Sequence, residues 1–126
     1  MNTDLDINKL TELVIGCAYR VARALGSGFL EKVYENALAL DLRKAGVAVE
    51  QQYAMKVLYS GEVVGDYIAD LVVVGRLIIE IKSVRRLEQI HMAQCLNYLK
   101  ATNMRLCLLI NFGSPSVEIK RVINGV

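Results

Sequence analysis

The chain has 126 residues, of which 54% are hydrophobic, and a formal net charge of +2 at pH 7. This length predicts a single domain over residues 1–126 with a real hydrophobic core. The charge is too small to indicate a nucleic-acid partner by itself, and no apolar run approaches the roughly 18 residues of a membrane span. The acidic segment 1–6 lacks the layout of a secretory signal, so we expect a cytoplasmic protein without a membrane partner.

The high apolar fraction has two explanations. A compact α/β domain with both faces of its sheet covered would account for it, and so would an apolar surface that forms a homodimer. The cysteines Cys17, Cys95 and Cys107 are widely spaced in apolar surroundings. Because zinc sites use close pairs of cysteines, we predict that these three are reduced core residues.

The first part of the chain shows helical periodicity. Apolar residues recur at helical spacing over residues 6–25, and a second amphipathic segment covers residues 30–45. Gly26-Ser27-Gly28 separates the two helices, and Gly46 is well placed to end the second one. The sequence therefore predicts two consecutive helices before any strand.

The remainder of the chain is dominated by strand patterns. Residues 47–59, 63–74 and 77–82 are predicted strands, a third helix follows at 87–102, and two further strands cover 104–112 and 117–123. The predicted order is α-α-β-β-β-α-β-β, a mixed α/β fold. In the third helix we expect the apolar face to consist of Ile90, Met92, Ala93, Leu96 and Leu99.

The short strand 77–82 carries two charges among apolar residues. Successive side chains of a strand point to opposite faces, so Glu80 and Lys82 share one face and Ile79 and Ile81 share the other. A carboxylate and an ammonium beside a core strand need partners, because burying them alone is costly. Asp70, on the preceding strand, is the natural candidate to complete an acidic cluster that binds a divalent metal.

Whether Asp70 meets Glu80 depends on the turn between their strands. In an antiparallel hairpin, directly opposed residues share a face. A two-residue turn would put Asp70 opposite Ile81, whereas a three-residue connection or a bulge returns it to the face of Glu80 and Lys82. We therefore predict an odd-length connection or a bulge. A structural ion pair or a solvated edge is the alternative interpretation of these charges.

Several residues outside the strands are further candidates. Glu31, in the first turn of the second helix, could reach the acidic face or be a solvated N-terminal carboxylate. Gln94 and Tyr98 are four residues apart and share a helix face with His91. For His91 a supporting hydrogen bond is a better interpretation than metal ligation.

Basic and aromatic side chains are candidates for contacts with substrate. Arg85 and Arg86 follow the charged strand and could contact phosphates, or could belong to a solvated loop. Tyr34 and Tyr98 could stack on bases, or could belong to the core.

Five motifs in register resemble those of the bacterial GxxExxY family, which is assigned to the PD-(D/E)XK nuclease superfamily. They are Gly28-Phe29-Leu30-Glu31-Lys32-Val33-Tyr34, Tyr67-Ile68-Ala69-Asp70, Glu80-Ile81-Lys82, the run from His91 to Lys100, and the run from Leu108 to Gly113. The resemblance covers residues 13–124. It implies a restriction-endonuclease-like core, a four-stranded mixed sheet flanked by helices, with the acidic cluster at one edge.

The resemblance also implies roles for individual residues. Asp70, Glu80 and Glu31 resemble the family's acids, and Lys82 resembles the catalytic residue that orients or activates water. Oxygen ligands from these carboxylates and the Ile81 carbonyl suit Mg²⁺ or Mn²⁺. Gln94 and Tyr98 match an element that contacts substrate or supports the metal ligands.

The function implied is metal-dependent hydrolysis of phosphodiester bonds in nucleic acid, in DNA rather than RNA. Strong sequence specificity is not expected, because no base-reading motif is evident. The alternative is a non-catalytic nucleic-acid-binding or assembly module with the same fold. A small-molecule enzyme with a phosphate-binding loop is disfavoured, because Gly26-Ser27-Gly28 joins two helices rather than a strand and a helix.

Overall fold

The computed structural model describes residues 6–125, which form three helices and five strands. The helices are α1 (Ile7–Leu25), α2 (Glu31–Lys44) and α3 (Gln89–Thr102), and the strands are β1 (Val49–Tyr59), β2 (Glu62–Val73), β3 (Leu77–Lys82), β4 (Leu106–Asn111) and β5 (Glu118–Ile123). The predicted order of elements is confirmed, with element ends displaced by one or two residues.

The five strands form one mixed sheet in the order β1-β2-β3-β4-β5. Strands β3 and β4 run parallel, and every other neighbouring pair is antiparallel. The helix α3 provides the crossover between the two parallel strands. The sheet therefore has one strand more than the four-stranded core that the resemblance implied.

Helices cover both faces of the central part of this sheet, around β3 and β4. On one face α1 and α2 bury side chains such as Val14 and Leu38 against Ile79 and Ile110. On the other face α3 packs over Val72, Ile78 and Leu109, among others. This arrangement accounts for part of the high apolar fraction of the chain, while Leu58, Val64 and Ile68 on β1 and β2 remain exposed. Within residues 6–125, no helix has both the length and the apolar character needed to cross a membrane.

The apolar face expected for α3 was right only in part, since Leu99 is buried and Met92 packs against the core. Ile90 is 72% exposed, and the buried residues of this helix are Cys95, Tyr98 and Leu99. The helix is turned so that its polar pair, Gln94 and Tyr98, lies on the sheet side, where the two side chains bond to each other. All three cysteines of the chain are free and buried, as predicted.

Candidate active site

A three-residue connection joins β2 to β3. Val73 pairs with Leu77 and Leu71 pairs with Ile79, so residues 74–76 form the turn. Val74 and Gly75 both have positive φ angles, 54° and 65°, and the Arg76 amide donates to the Val73 carbonyl at 3.0 Å. Continuing this register places Asp70 opposite Glu80. The predicted odd-length connection is confirmed.

Asp70 and Glu80 bond to each other's strands. The Asp70 amide donates to Glu80 Oε1 at 2.8 Å, and the Ile81 amide donates to Asp70 Oδ2 at 2.8 Å. The paired ladder between β2 and β3 stops just before this point, at Leu71 and Ile79. Side-chain carboxylates thus replace backbone carbonyls as acceptors where the two strands separate.

The neighbouring strand β1 is also irregular beside Asp70. Gln51 pairs with Leu71 and Tyr53 pairs with Ala69, but Gln52, which lies between them, does not pair with Asp70. Gln52 has a φ angle of 54°, in the left-handed region that non-glycine residues rarely adopt. Such local strain is common at functional sites.

Burial and mutual repulsion raise the pKa of both carboxyl groups. Glu80 is only 3% exposed, and desolvation, followed by the negative charge of Asp70, raises its pKa to about 8. Desolvation also raises the pKa of Asp70, and the negative charges of Glu35 and Glu31 raise it further. Lys82 partly offsets both shifts. A positive charge placed between the two acids would therefore be strongly favoured.

The structure does not support the alternative of a structural ion pair or a solvated edge. Among the described residues, Lys82 makes no ion pair with either acid. Glu80 is buried, and so is not a solvated group. The cost of burying this carboxyl is thus only partly offset by a cation of the protein itself.

Glu31 lies near this pair, since its charge helps to raise the pKa of Asp70. Its Oε2 accepts from the Ser83 amide at 3.2 Å, just beyond the end of β3. Within residues 6–125, no group of three or more His, Cys, Asp or Glu side chains is arranged to hold a metal ion. The structure therefore brings Asp70, Glu80 and Lys82 together on one face, and leaves Glu31 beside them rather than converging with them.

Glu35 belongs to this neighbourhood and was missed by the sequence analysis. It is 3% exposed, and its oxygens accept from Gln51 Nε2 and Gln52 Nε2, both at 2.8 Å. Lys32 forms an ion pair with it at 3.2 Å. Glu35 follows Glu31 by four residues, so the two share a face of α2, and that spacing could have identified Glu35 from the sequence. It ties α2 to the irregular part of β1 beside Asp70.

The polar face of α3 closes the other side of the site. Gln94 Nε2 donates to the Tyr98 hydroxyl at 2.9 Å. Burial raises the pKa of Tyr98, and the nearby charges of Glu80 and Asp70 raise it further. His91 Nδ1 accepts from the Glu88 amide at 2.9 Å, so its observed hydrogen bond supports the beginning of α3.

The two tyrosines considered for base stacking are core residues instead. Tyr34 is fully buried and stacks on Phe112 with ring centroids 4.5 Å apart. Its hydroxyl donates to the Gly26 carbonyl at 2.6 Å and accepts from the Phe29 amide at 3.2 Å. Tyr98 is 5% exposed. Because both side chains are buried, neither ring has a free face to offer a nucleotide.

Asn111, at the end of β4, fixes the loop that follows β3. Its side chain bonds both the amide and the carbonyl of Val84 at 2.9 Å, and it donates to Glu118 Oε1 at 2.8 Å. A Cβ atom on Gly113 would lie 2.4 Å from the Val84 backbone, so only glycine allows this close approach. The loop carrying Arg85 and Arg86 is therefore anchored to the sheet.

Two open cavities flank this loop. One, of about 760 Å³, is lined by Arg85, Arg86 and His91, among others. The other, of about 690 Å³, lies between the loop and the beginning of α2, and its lining includes Glu31 and Lys32. Both arginines are exposed. The basic side chains next to the acidic pair thus border space large enough for nucleotides.

The donor groups of the site suit a hard divalent cation. Asp70 Oδ1 and Glu80 Oε2 accept no hydrogen bond from the described residues, while their partner oxygens are held by backbone amides. Oriented carboxylate oxygens of this kind are the ligands that Mg²⁺ and Mn²⁺ prefer. The residues present therefore fit such an ion, which Asp70 and Glu80 would hold.

Comparisons with known proteins agree with this fold. A family model described as the PD-(D/E)XK nuclease superfamily matches residues 8–122. The crystal structure of SSO0001 is similar, with a TM-score of 0.59 and 18% sequence identity over 94% of this chain, which spans 59% of that one. At this identity the likeness shows the fold alone. No curated protein matches the chain.

Proposed function

Because the chain belongs to the PD-(D/E)XK nuclease superfamily, we propose that it is a metal-dependent nuclease that hydrolyses phosphodiester bonds, in DNA rather than RNA and without strong sequence specificity. Nucleases of this superfamily generally use divalent metals. The observation that carries the proposal is the three-residue turn, since it places Asp70 opposite Glu80 and on the face of Lys82. The 115 residues matched by the family model include all three.

Each residue of the site has a distinct task in this proposal. Asp70 and Glu80, together with the Ile81 carbonyl, would hold a divalent cation. The bound ion supplies charge neutralisation at the scissile phosphate and acidifies a water molecule. Lys82 would orient the attacking water and stabilise the negative charge that develops on the phosphoryl oxygens. Arg85 and Arg86 contact neighbouring phosphates.

The remaining polar residues position these groups. Glu31 holds the Ser83 amide, and so fixes the chain that leads from Lys82 to the arginines. Gln94 and Tyr98 cover the acids on the α3 side and restrict water there. Glu35 keeps α2 and β1 in place and adds negative charge near Asp70.

The test is cleavage of labelled single-stranded, duplex and flapped DNA, and of RNA, with Mg²⁺ or Mn²⁺. Asp70→Asn and Lys82→Ala should each reduce the rate by about 100-fold or more, while nucleic-acid binding is retained. Asp66→Asn, an exposed position on the same strand as Asp70, and Lys44→Ala are the matched controls and should cut normally. Circular dichroism melting shows that each variant is folded.

The alternative is a nucleic-acid-binding module without turnover. One observation favours it: the described residues contain no ready cluster of three metal-ligating side chains. Absence of cleavage on every substrate, together with absence of Mn²⁺ binding by calorimetry, would select this alternative. Cleavage by the wild type that persists in Asp70→Asn would overturn the assignment of the site.

A further inference from the structure

The segment before α2 holds two large apolar side chains in solvent beside the candidate active site. Phe29 is 46% exposed and Leu30 is 81% exposed. Both line the cavity of about 690 Å³ that lies between this segment and the loop after β3. Single exposed apolar residues are common on protein surfaces, but two neighbours that line one cavity indicate a contact surface. We call Phe29 and Leu30 the apolar pair.

The position of the apolar pair is fixed by hydrogen bonds. The Tyr34 hydroxyl accepts from the Phe29 amide at 3.2 Å, and the Ser83 hydroxyl donates to the Phe29 carbonyl at 2.9 Å. The Phe29 ring also meets the Tyr34 ring edge to face, with centroids 6.1 Å apart. Both polar groups of the Phe29 backbone are thus bonded, so little ordering entropy is lost when a ligand contacts the ring.

The apolar pair is next to the groups that would act on a phosphate. Ser83, which bonds to the apolar pair, follows Lys82 directly in the chain. Glu31 follows the apolar pair and lines the same cavity, and it is close enough to Asp70 for its negative charge to raise the pKa of Asp70. The cavity therefore borders both the apolar pair and the chain that carries the candidate active site.

Arg85 supplies positive charge on the other wall of this cavity. It is exposed, and within the part of the chain that the structure describes it forms no ion pair. Lys32 also lines the cavity, but its ammonium is paired with Glu35 at 3.2 Å and so contributes less. The cavity thus combines an apolar surface that suits a base with a guanidinium group that suits a phosphate.

We propose that the apolar pair receives an unpaired base, so that the protein acts on single-stranded DNA or on the unpaired ends of a duplex. The inference rests on the proposed nuclease function. An aromatic ring stacks on any base, and so gives affinity without sequence preference. The bases of a continuous duplex are stacked on one another, and exposing one costs unstacking energy, so an intact duplex makes poor use of this surface. Arg85 contacts the phosphate next to the unpaired base.

Fluorescence anisotropy in buffer with EDTA tests the proposal, because it measures binding without metal or cleavage. A labelled single strand should bind about fivefold or more tightly than a blunt hairpin duplex of the same number of nucleotides. It should exceed by the same factor a strand of equal length that lacks bases. Phe29→Ala combined with Leu30→Ala should weaken single-strand binding by about fivefold or more, and should leave duplex binding within about twofold.

Leu58→Ala combined with Tyr59→Ala is the matched control. These neighbours are also an aliphatic and an aromatic residue, 63% and 73% exposed, and they lie in β1 outside the cavity. Their replacement should leave the affinity for every probe within about twofold. Phe29→Tyr keeps the aromatic ring and should bind the single strand within about twofold of the wild type. Circular dichroism melting shows that each variant is folded.

A wild type that binds the single strand no more tightly than the duplex or the strand without bases would overturn the inference. Unchanged single-strand affinity in the double variant would do the same. If that variant does not fold, Leu30→Ala alone should weaken single-strand binding by about twofold or more, and unchanged binding then overturns the inference. Failure of the proposed function would be distinct, because the wild type would bind single strands through the apolar pair and yet cut none.

Discussion

Replacing Glu80 with Gln should stabilise the metal-free protein at neutral and alkaline pH. Glutamine has the shape of a protonated glutamate, and its side-chain oxygen can still accept from the Asp70 amide. It carries no charge, so it removes both the desolvation cost and the repulsion by Asp70 that raise the pKa of Glu80. The prediction therefore concerns how the difference in the free energy of unfolding between the wild type and Glu80→Gln changes with pH.

The magnitude follows from the pKa of Glu80, which is raised from 4.5 to about 8 in the folded protein. Between these values the folded state holds a proton that the unfolded state has released, so stability falls as pH rises. The slope is about 1.4 kcal/mol per pH unit. The wild type should thus lose roughly 3 kcal/mol more than Glu80→Gln between about pH 5 and about pH 7.5. Because Glu80 is only 3% exposed, solvent screening does not reduce this figure appreciably.

Urea unfolding in the presence of EDTA measures this difference directly. The two proteins should have similar midpoints near pH 5, and the variant should have the higher midpoint at pH 7.5. Adding Mn²⁺ should raise the midpoint of the wild type and not that of the variant. Parallel pH curves for the two proteins would refute the reasoning, because they would show that Glu80 is already ionised in the folded state at low pH.

Three further predictions test the surroundings of the site. Gly113→Ala should destabilise the protein by about 2 kcal/mol or more, measured by thermal melting, because a Cβ atom would meet the Val84 backbone at 2.4 Å. Tyr34→Phe should cost about 1–2 kcal/mol in urea unfolding, since the Gly26 carbonyl loses its hydroxyl donor. Arg85→Ala should reduce the slope of log affinity for DNA against log salt concentration by about 1, measured by fluorescence anisotropy. An unchanged slope would exclude a phosphate contact by Arg85.

The sequence predicted those features that depend on local patterns. Alternating side chains placed Glu80 and Lys82 on one face, and the hairpin argument then required an odd-length turn, which residues 74–76 provide. The order of helices and strands also followed from periodicity. These conclusions needed only the geometry of a strand and of an antiparallel pair.

What failed depended on tertiary contacts. The orientation of α3 could not be read from hydrophobicity, because Gln94 and Tyr98 satisfy each other and so tolerate the sheet side. The burial of Glu35 depends on amide donors from β1, a segment far away in sequence. The sequence left open whether Glu31 reaches the acidic face or is solvated, and it did not show that Glu31 accepts from the Ser83 amide at the end of β3. None of these partners is specified by spacing along the chain.

The bonds that Asp70 and Glu80 make to backbone amides give the site a built-in reporter. The amide protons of Asp70 and Ile81 owe their protection from solvent exchange to side-chain acceptors and not to a paired strand. Their hydrogen-exchange rates should therefore respond to protonation of the carboxyl groups and to occupation by a cation, while the amides of Leu71 and Ile79 respond only to global opening. Hydrogen exchange at these two amides thus reports whether the carboxyl groups are protonated or bound to a cation, without any substrate.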